Sequence, residues 1–131
     1  MFLDTSGLFC RHYGREERHR LAKSQFENKS KKLTHSYVLA EFVTLCFSRR
    51  LPRPTTLGFA RRLLAHPLVE VVWVDESLHR EALELLEERP DKDYSLCDAV
   101  SFVLMRQHAV SEALTTDHHF EQEGFHQLLP S

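Results

Sequence analysis

Four acidic side chains stand alone in short contexts that are otherwise poor in charge: Asp4 in MFLDTSGLF, Glu41 in SYVLAEFVTLCF, Asp98 in YSLCDAVSFVLM and Asp117 in EALTTDHHF. A carboxylate at the end of an apolar strand, or within an apolar helix, loses hydration. Without a partner for its charge the loss costs on the order of several kcal/mol, or the group stays protonated. Four such acids along one chain point to a single pocket whose missing partner is a divalent cation.

Each acid also has a plainer reading. Asp4 and Asp117 are suited to cap the helices that follow them. Ser95 and Asp98 have the spacing of a capping box, with Asp in place of the usual Glu. Glu41 shares a narrow polar stripe with Tyr37, Thr44 and Ser48, which a surface helix can also carry. Around Asp98, however, the helix is apolar on most sides, and only Asp98, Ser101 and Met105 make a stripe suited to a pocket wall. Ser6, Thr115 and Thr116 neighbour two of the acids; their hydroxyls could orient water at a metal or merely cap turns. Asp91 and Asp93 belong to a solvated loop, RPDKDYS. The nine histidines show no H-x-x-x-H or H-E-x-x-H spacing. His118 and His119 are adjacent, so on a helix they point in different directions, and neither is assigned a ligand role. The chain has no G-x-S-x-G elbow, P-loop or G-x-G-x-x-G, which argues against serine hydrolases, P-loop NTPases and dinucleotide enzymes.

The elements that must position these acids alternate between strand and helix. Phe2 and Leu3 form a short strand ending at Asp4, and Thr5, Ser6 and Gly7 turn into a helix from Leu8 to Tyr13. A polar helix spans about Glu16 to Asn28, and Leu33 and Thr34 form a strand. Ser36 caps a helix to about Arg50, stopped by Pro52 and Pro54; Thr55 or Thr56 caps another through Leu64. Val69 to Val74 is the clearest strand, followed by an amphipathic helix from Ser77 to Glu88, a loop from Pro90 to Tyr94 and a helix from Ser95 to His108. Ala113 to Thr116 is a strand, His118 to Glu121 a short helix, and Phe125 to Leu129 a final edge strand. This order implies an α/β sandwich on a mostly parallel sheet, and 131 residues without linker or repeat imply one domain, residues 1–131. In such sheets the crevice lies beyond the carboxyl ends of the strands, where strand order reverses. If the strands ending at Asp4 and Asp117 are neighbours, both side chains reach it.

Composition narrows the setting. Cys10, Cys46 and Cys97 lie singly in apolar runs, as buried small hydrophobes of a reducing cytoplasm do. No stretch approaches a membrane span, so a soluble cytoplasmic protein is expected. The net charge of −2 conceals two opposed halves. Residues 1–69 carry 13 Lys and Arg against five acids, +8; residues 70–131 carry four against 14, −10. Arg49, Arg50, Arg53, Arg61 and Arg62 fall in a stretch without a single acid between Glu41 and Glu70. A basic half beside a set of carboxylates is what cutting a polyanion requires. Solvated helix faces would show the same charges one at a time.

The four acids, their order and their contexts resemble the PIN-domain nucleases, in particular the VapC-like toxins of type II toxin–antitoxin pairs. Phe2 to Ser6 matches the opening strand motif, Val38 to Phe42 the helix motif, Asp93 to Phe102 the third motif, and Ala113 to Phe120 with Gly124-Phe125 the fourth. The resemblance covers essentially the whole chain. It implies a three-layer sandwich with a five-stranded parallel sheet, commonly a homodimer, and a Mg²⁺- or Mn²⁺-dependent endoribonuclease silenced by a cognate antitoxin whose tail covers the groove. Asp4, Glu41, Asp98 and Asp117 would be its catalytic and metal-binding residues. Because Mg²⁺ keeps several waters, Asp4 and Asp98 are expected as the closest ligands, with Glu41 and Asp117 acting through water or holding a second ion.

Two other readings remain open at this point. One is the same fold as an inactive module that binds RNA or protein without cutting. The other is a phosphoacceptor domain, which needs an adjacent acidic pair after the first strand and a late lysine; here Asp4 is followed by Thr5, and the last lysine is Lys92.

Overall fold

The first strand, β1 (Phe2–Leu3), lies at the centre of a five-stranded sheet in the computed structural model, which describes residues 1–131. The spatial order is β3-β2-β1-β4-β5, and every neighbouring pair is parallel. β2 (Lys32–His35) and β3 (Val69–Val72) lie on one side of β1, and β4 (Glu112–Leu114) and β5 (His126–Gln127) on the other. The chain therefore builds outward from β1 in one direction, then returns to build in the other. The reversal falls between β1 and β4, whose register pairs Phe2 with Ala113 and Leu3 with Leu114. Asp4 and Asp117 leave the carboxyl ends of these two adjacent strands.

Seven helices connect the strands: α1 (Thr5–His12), α2 (His19–Phe26), α3 (Ser36–Ser48), α4 (Arg53–Ala65), α5 (Glu76–Glu88), α6 (Leu96–Gln107) and α7 (His119–Gln122). α1 packs on α2 and α3, α3 packs on α4, and α5 packs on α6. Right-handed crossovers place α1–α4 on one face and α5–α7 on the other, completing the three layers. The buried apolar side chains form one contiguous cluster, and all three cysteines lie in it unbridged.

Several boundaries differ from those expected, each for a local reason. α1 begins at Thr5 rather than Leu8, because Asp4 is its N-cap residue and its carbonyl already accepts from Leu8 N at 2.9 Å. The turn expected over Thr5–Gly7 is thus the helix's first turn. Gly7 is required there: a Cβ at that position would lie 1.9 Å from the Leu114 carbonyl oxygen. Ser36 does not cap α3. His35 does, accepting from Val38 N at 3.3 Å, while Ser36 Oγ accepts from Val74 N. α4 begins at Arg53, so Pro54 opens the helix rather than stopping the previous one, and neither Thr55 nor Thr56 is its cap. A proline in the first turn loses only a donor that would have had no intrahelical partner. α5 starts on Asp75, whose Oδ1 accepts from Leu78 N at 2.8 Å. β3 and β5 are shorter than expected, and β4 ends at Leu114, freeing Thr115 and Thr116 for the site.

Candidate active site at the carboxyl edge of the sheet

Asp4 is buried, at 5% exposure, where β1 passes into α1. Its side chain makes no capping bond, so the simple cap reading fails for it. Instead Oδ2 accepts from Thr115 Oγ1 at 2.7 Å and from Ser6 Oγ at 3.3 Å. Thr115 Oγ1 in turn accepts from Asp117 N at 3.0 Å, and Ser6 Oγ accepts from Thr116 N at 2.9 Å. The two hydroxyls thereby tie the end of β1 to the segment after β4. Burial raises the Asp4 pKa to about 7; the Thr115 bond works against this, and the nearby charges of Asp98 and Asp117 add to it.

Asp98 does form the capping box that its spacing suggested. Ser95 Oγ accepts from Asp98 N, and Asp98 Oδ2 accepts from Ser95 N, both at 3.0 Å. That use of Oδ2 leaves Oδ1 for another role, so capping and function coexist in one side chain. Burial also pushes the Asp98 pKa up, opposed by the bond from the Ser95 backbone and reinforced by Asp117. Ser101 and Met105, expected beside Asp98 on a pocket wall, are fully buried instead. Ser101 Oγ donates to the Cys97 carbonyl and pairs with His35 Nε2 at 2.9 Å. Since His35 Nδ1 accepts from Val38 N, the ring carries its proton on Nε2. Burial drives its pKa down to about 3, so a neutral imidazole lies under the site.

Asp117 is half-buried. Its Oδ1 accepts from His119 N at 3.0 Å, but the N-cap residue of α7 is His118, so Asp117 stands one position ahead of the cap expected of it. The imidazole returns to the same carboxylate, with His119 Nδ1 3.0 Å from Asp117 Oδ1 and 3.7 Å from Asp98 Oδ2. Ligand atoms of Asp98, Asp117 and His119 all lie within 4.8 Å of one another. The sequence reading left His119 out. The two rings do not diverge, their centroids lying 4.6 Å apart, but the His118 side chain is 64% exposed and that of His119 only 19%. His119 turns inward and packs edge-on against Tyr94, a placement that the spacing of the histidines did not signal.

Glu41 is exposed on α3, the least enclosed of the four acids. Its link to the others runs through Cys97. Burial raises the Cys97 thiol's pKa, and the charges of Glu41, Asp4 and Asp98 raise it further, with a hydrogen bond to Glu41. One thiol therefore feels three of the four carboxylates at once.

The family model described as "PIN domain" matches residues 1–125. The chain belongs to the PIN-domain family. Within it, the chain is 32% identical over 131 residues to the "23S rRNA-specific endonuclease VapC20" of Mycobacterium tuberculosis, in strains CDC 1551 / Oshkosh and H37Rv, covering 99% of this chain and 98% of the relative. The crystal structure of Mycobacterium tuberculosis VapC20, described as a sarcin-ricin loop cleaving toxin, superposes with a TM-score of 0.87 at 28% identity, covering 98% of both chains. The chain is thus a VapC-like PIN domain, with the five-stranded parallel sheet that its sequence implied.

Proposed function

We propose that this PIN domain is a metal-dependent endoribonuclease of the VapC type, acting in the cytoplasm and restrained by a cognate antitoxin. The observation that carries the reading is the convergence of Asp4, Asp98 and Asp117 at the carboxyl ends of β1 and β4. Two of these acids are held above the ordinary carboxylate range by burial and mutual repulsion. Groups in that state gain stability when a cation arrives, so the donor set fits a hard divalent ion, Mg²⁺ or Mn²⁺. Asp98, Asp117 and His119 would hold it, with Asp4 behind them and Glu41 at the open side. When bound, such an ion supplies positive charge to the phosphate and acidifies water.

The chain's own residues do the rest. Thr115 and Ser6 fix the Asp4 carboxylate, and the Ser95 backbone N–H fixes the Asp98 oxygen that lies 3.7 Å from His119 Nδ1. His119 holds Asp117 in place while its ring closes one wall. The RNA backbone would approach from the exposed side, where Glu41 lies. No helix is long and apolar enough to cross a membrane. VapC20 carries 23S rRNA specificity in its name; an rRNA substrate and a homodimeric state are the corresponding expectations for this chain.

The test is cleavage of RNA by the purified protein with Mg²⁺ or Mn²⁺ and after chelation. Cleavage abolished by chelation and restored by either ion is the expected result. RNA bound but left intact under every metal condition would instead mark a non-catalytic binding module.

A further inference from the structure

The loop between α5 and α6 is exposed from Pro90 to Asp93, yet Tyr94 at its end is buried, at 9% exposure. A tyrosine is an apolar ring with a polar tip, and a buried hydroxyl needs a partner. Both ends of Tyr94 find contacts. The ring packs edge-on against Phe102, with centroids 4.9 Å apart, and against His119 at 5.5 Å. The hydroxyl donates to Glu123 Oε1 at 3.0 Å.

Glu123 is a firm anchor. Arg89 donates to its two carboxylate oxygens in a bidentate pair, both bonds 3.1 Å. Arg106 Nη2 donates to Oε2 at 2.6 Å and to the Glu123 carbonyl at 2.9 Å. Hydrogen bonds between ionised partners are stronger than neutral ones, and the bidentate form also fixes orientation. Here they join the ends of three helices, with Arg89 closing α5, Arg106 in the last turn of α6 and Glu123 closing α7.

Two of these helices frame the acidic site. Asp98 lies on α6, and His119 opens α7 two residues after Asp117. Tyr94 meets the group that holds each acid. It immediately precedes Ser95, whose backbone N–H bonds Asp98 Oδ2. Its ring lies against the imidazole whose Nδ1 is 3.0 Å from Asp117 Oδ1 and 3.7 Å from Asp98 Oδ2. The other ring beside His119 belongs to His118, which is mostly exposed, so Tyr94 is the buried aromatic wall of that imidazole.

We propose that Tyr94 is a positioning residue of the acidic site: its ring sets the His119 imidazole beside Asp98 and Asp117, and its bond to the arginine-clamped Glu123 sets the ring. This role rests on the metal-dependent reading of the site and extends it to a side chain that touches neither ion nor substrate. Groups that orient metal ligands from outside typically matter about 10–100-fold in metal affinity or activity.

The experiment is a calorimetric titration of Mn²⁺ into the full chain, well below its melting temperature, for wild type, Tyr94→Phe and Tyr94→Leu. Tyr94→Leu removes both the ring and its anchor and should weaken Mn²⁺ binding about tenfold or more. Tyr94→Phe keeps the ring and loses only the anchor, so it should fold and recover most of that loss, remaining about two- to fivefold weaker than wild type. Cleavage at saturating Mn²⁺ should slow in the same order with the KM for RNA unchanged, because Tyr94 does not touch the substrate. A residue that only supported the fold would lower the melting temperature and leave the affinity of the folded chain as it was. Tyr94→Phe decides alone if Tyr94→Leu does not fold. A folded variant that binds Mn²⁺ as tightly as the wild type overturns the proposal and leaves the nuclease reading standing. A wild type that binds no Mn²⁺ overturns that reading and the proposal with it.

Discussion

Asp4 shows how one side chain can be costly to the fold and useful to the site. Its pKa of about 7 in the folded chain exceeds the ordinary carboxylate value of 3.8, so the folded state holds its proton more tightly than the unfolded state does. Below about pH 4 both states are protonated and the group is neutral in the balance. As pH rises from about 4 to 7 the unfolded chain gives up the proton first, and stability falls; above about 7 the full cost, roughly 4 kcal/mol, is present. Asp4→Asn should therefore raise the melting temperature of the chelator-treated protein at pH 8 and leave it nearly unchanged at pH 4, as a thermal melt at the two pH values would record. An Asp4→Asn shift in melting temperature that is the same at both pH values would show that the carboxyl is not desolvated as described. At this scale the sequence was informative wherever a lone charge met an apolar context, as at Asp4 and Asp98. It was silent about His35 and His119, because a histidine's role depends on which strand end or carboxylate faces it, and that is decided by tertiary pairing.

Elements fix the geometry that the acids need. The close approach of α1 to β4 depends on Gly7, since a methyl group there would collide with the Leu114 carbonyl. Backbone cannot yield as a flexible side chain does, so Gly7→Ala should cost at least about 1–3 kcal/mol. It should also slow cleavage by moving Asp4 relative to Asp117; a variant melting and cutting like the wild type would refute the tight contact. Ser95→Ala should cost about 1 kcal/mol through loss of the N-cap, while the backbone N–H at position 95 still holds Oδ2 of Asp98. Urea denaturation would give that cost. The alternation of strands and helices was legible because β-branched runs and amphipathic stripes carry their own periods. The helix starts were less so. Pro54 has the same effect on its neighbours whether it closes one helix or opens the next, and only the packing of α4 on α3 decides between them. Strand order was not readable at all, yet it is the adjacency of β1 and β4 that brings Asp4 and Asp117 together.

Across the whole molecule, charge is distributed more finely than the two opposed halves suggest. Glu123, unremarked in the sequence, is buried and bonded by Arg89, Arg106 and Tyr94, which joins the end of α7 to α6 and the loop before it. Burial alone would raise its pKa, but the two arginines and the tyrosine hold it below the usual carboxylate value. Its contribution is therefore present above pH 4.5, the ordinary value for a glutamate, and is lost as acid protonates the folded state. Glu123→Gln should lower stability at pH 7 by roughly 1–3 kcal/mol, because the arginines it leaves behind are partly solvated, and flatten the acid limb of the stability curve. The arginines of the acid-free stretch also divide. Arg53 and Arg49 lie over Phe47 and Phe9, while Arg62 enters a cavity remote from the acids. Replacing the set by alanine should reduce the salt dependence of RNA binding by about 0.7 per lost single-strand contact. The central claim, that a metal held by the converging carboxylates cuts RNA, is tested most directly by the single-turnover cleavage rate of Asp98→Asn against wild type at equal Mg²⁺ or Mn²⁺. The substitution keeps the size of the side chain and an oxygen for the Ser95 backbone while removing its charge. The account predicts a folded variant with most of its cleavage lost; a variant that cuts as fast as the wild type would contradict it.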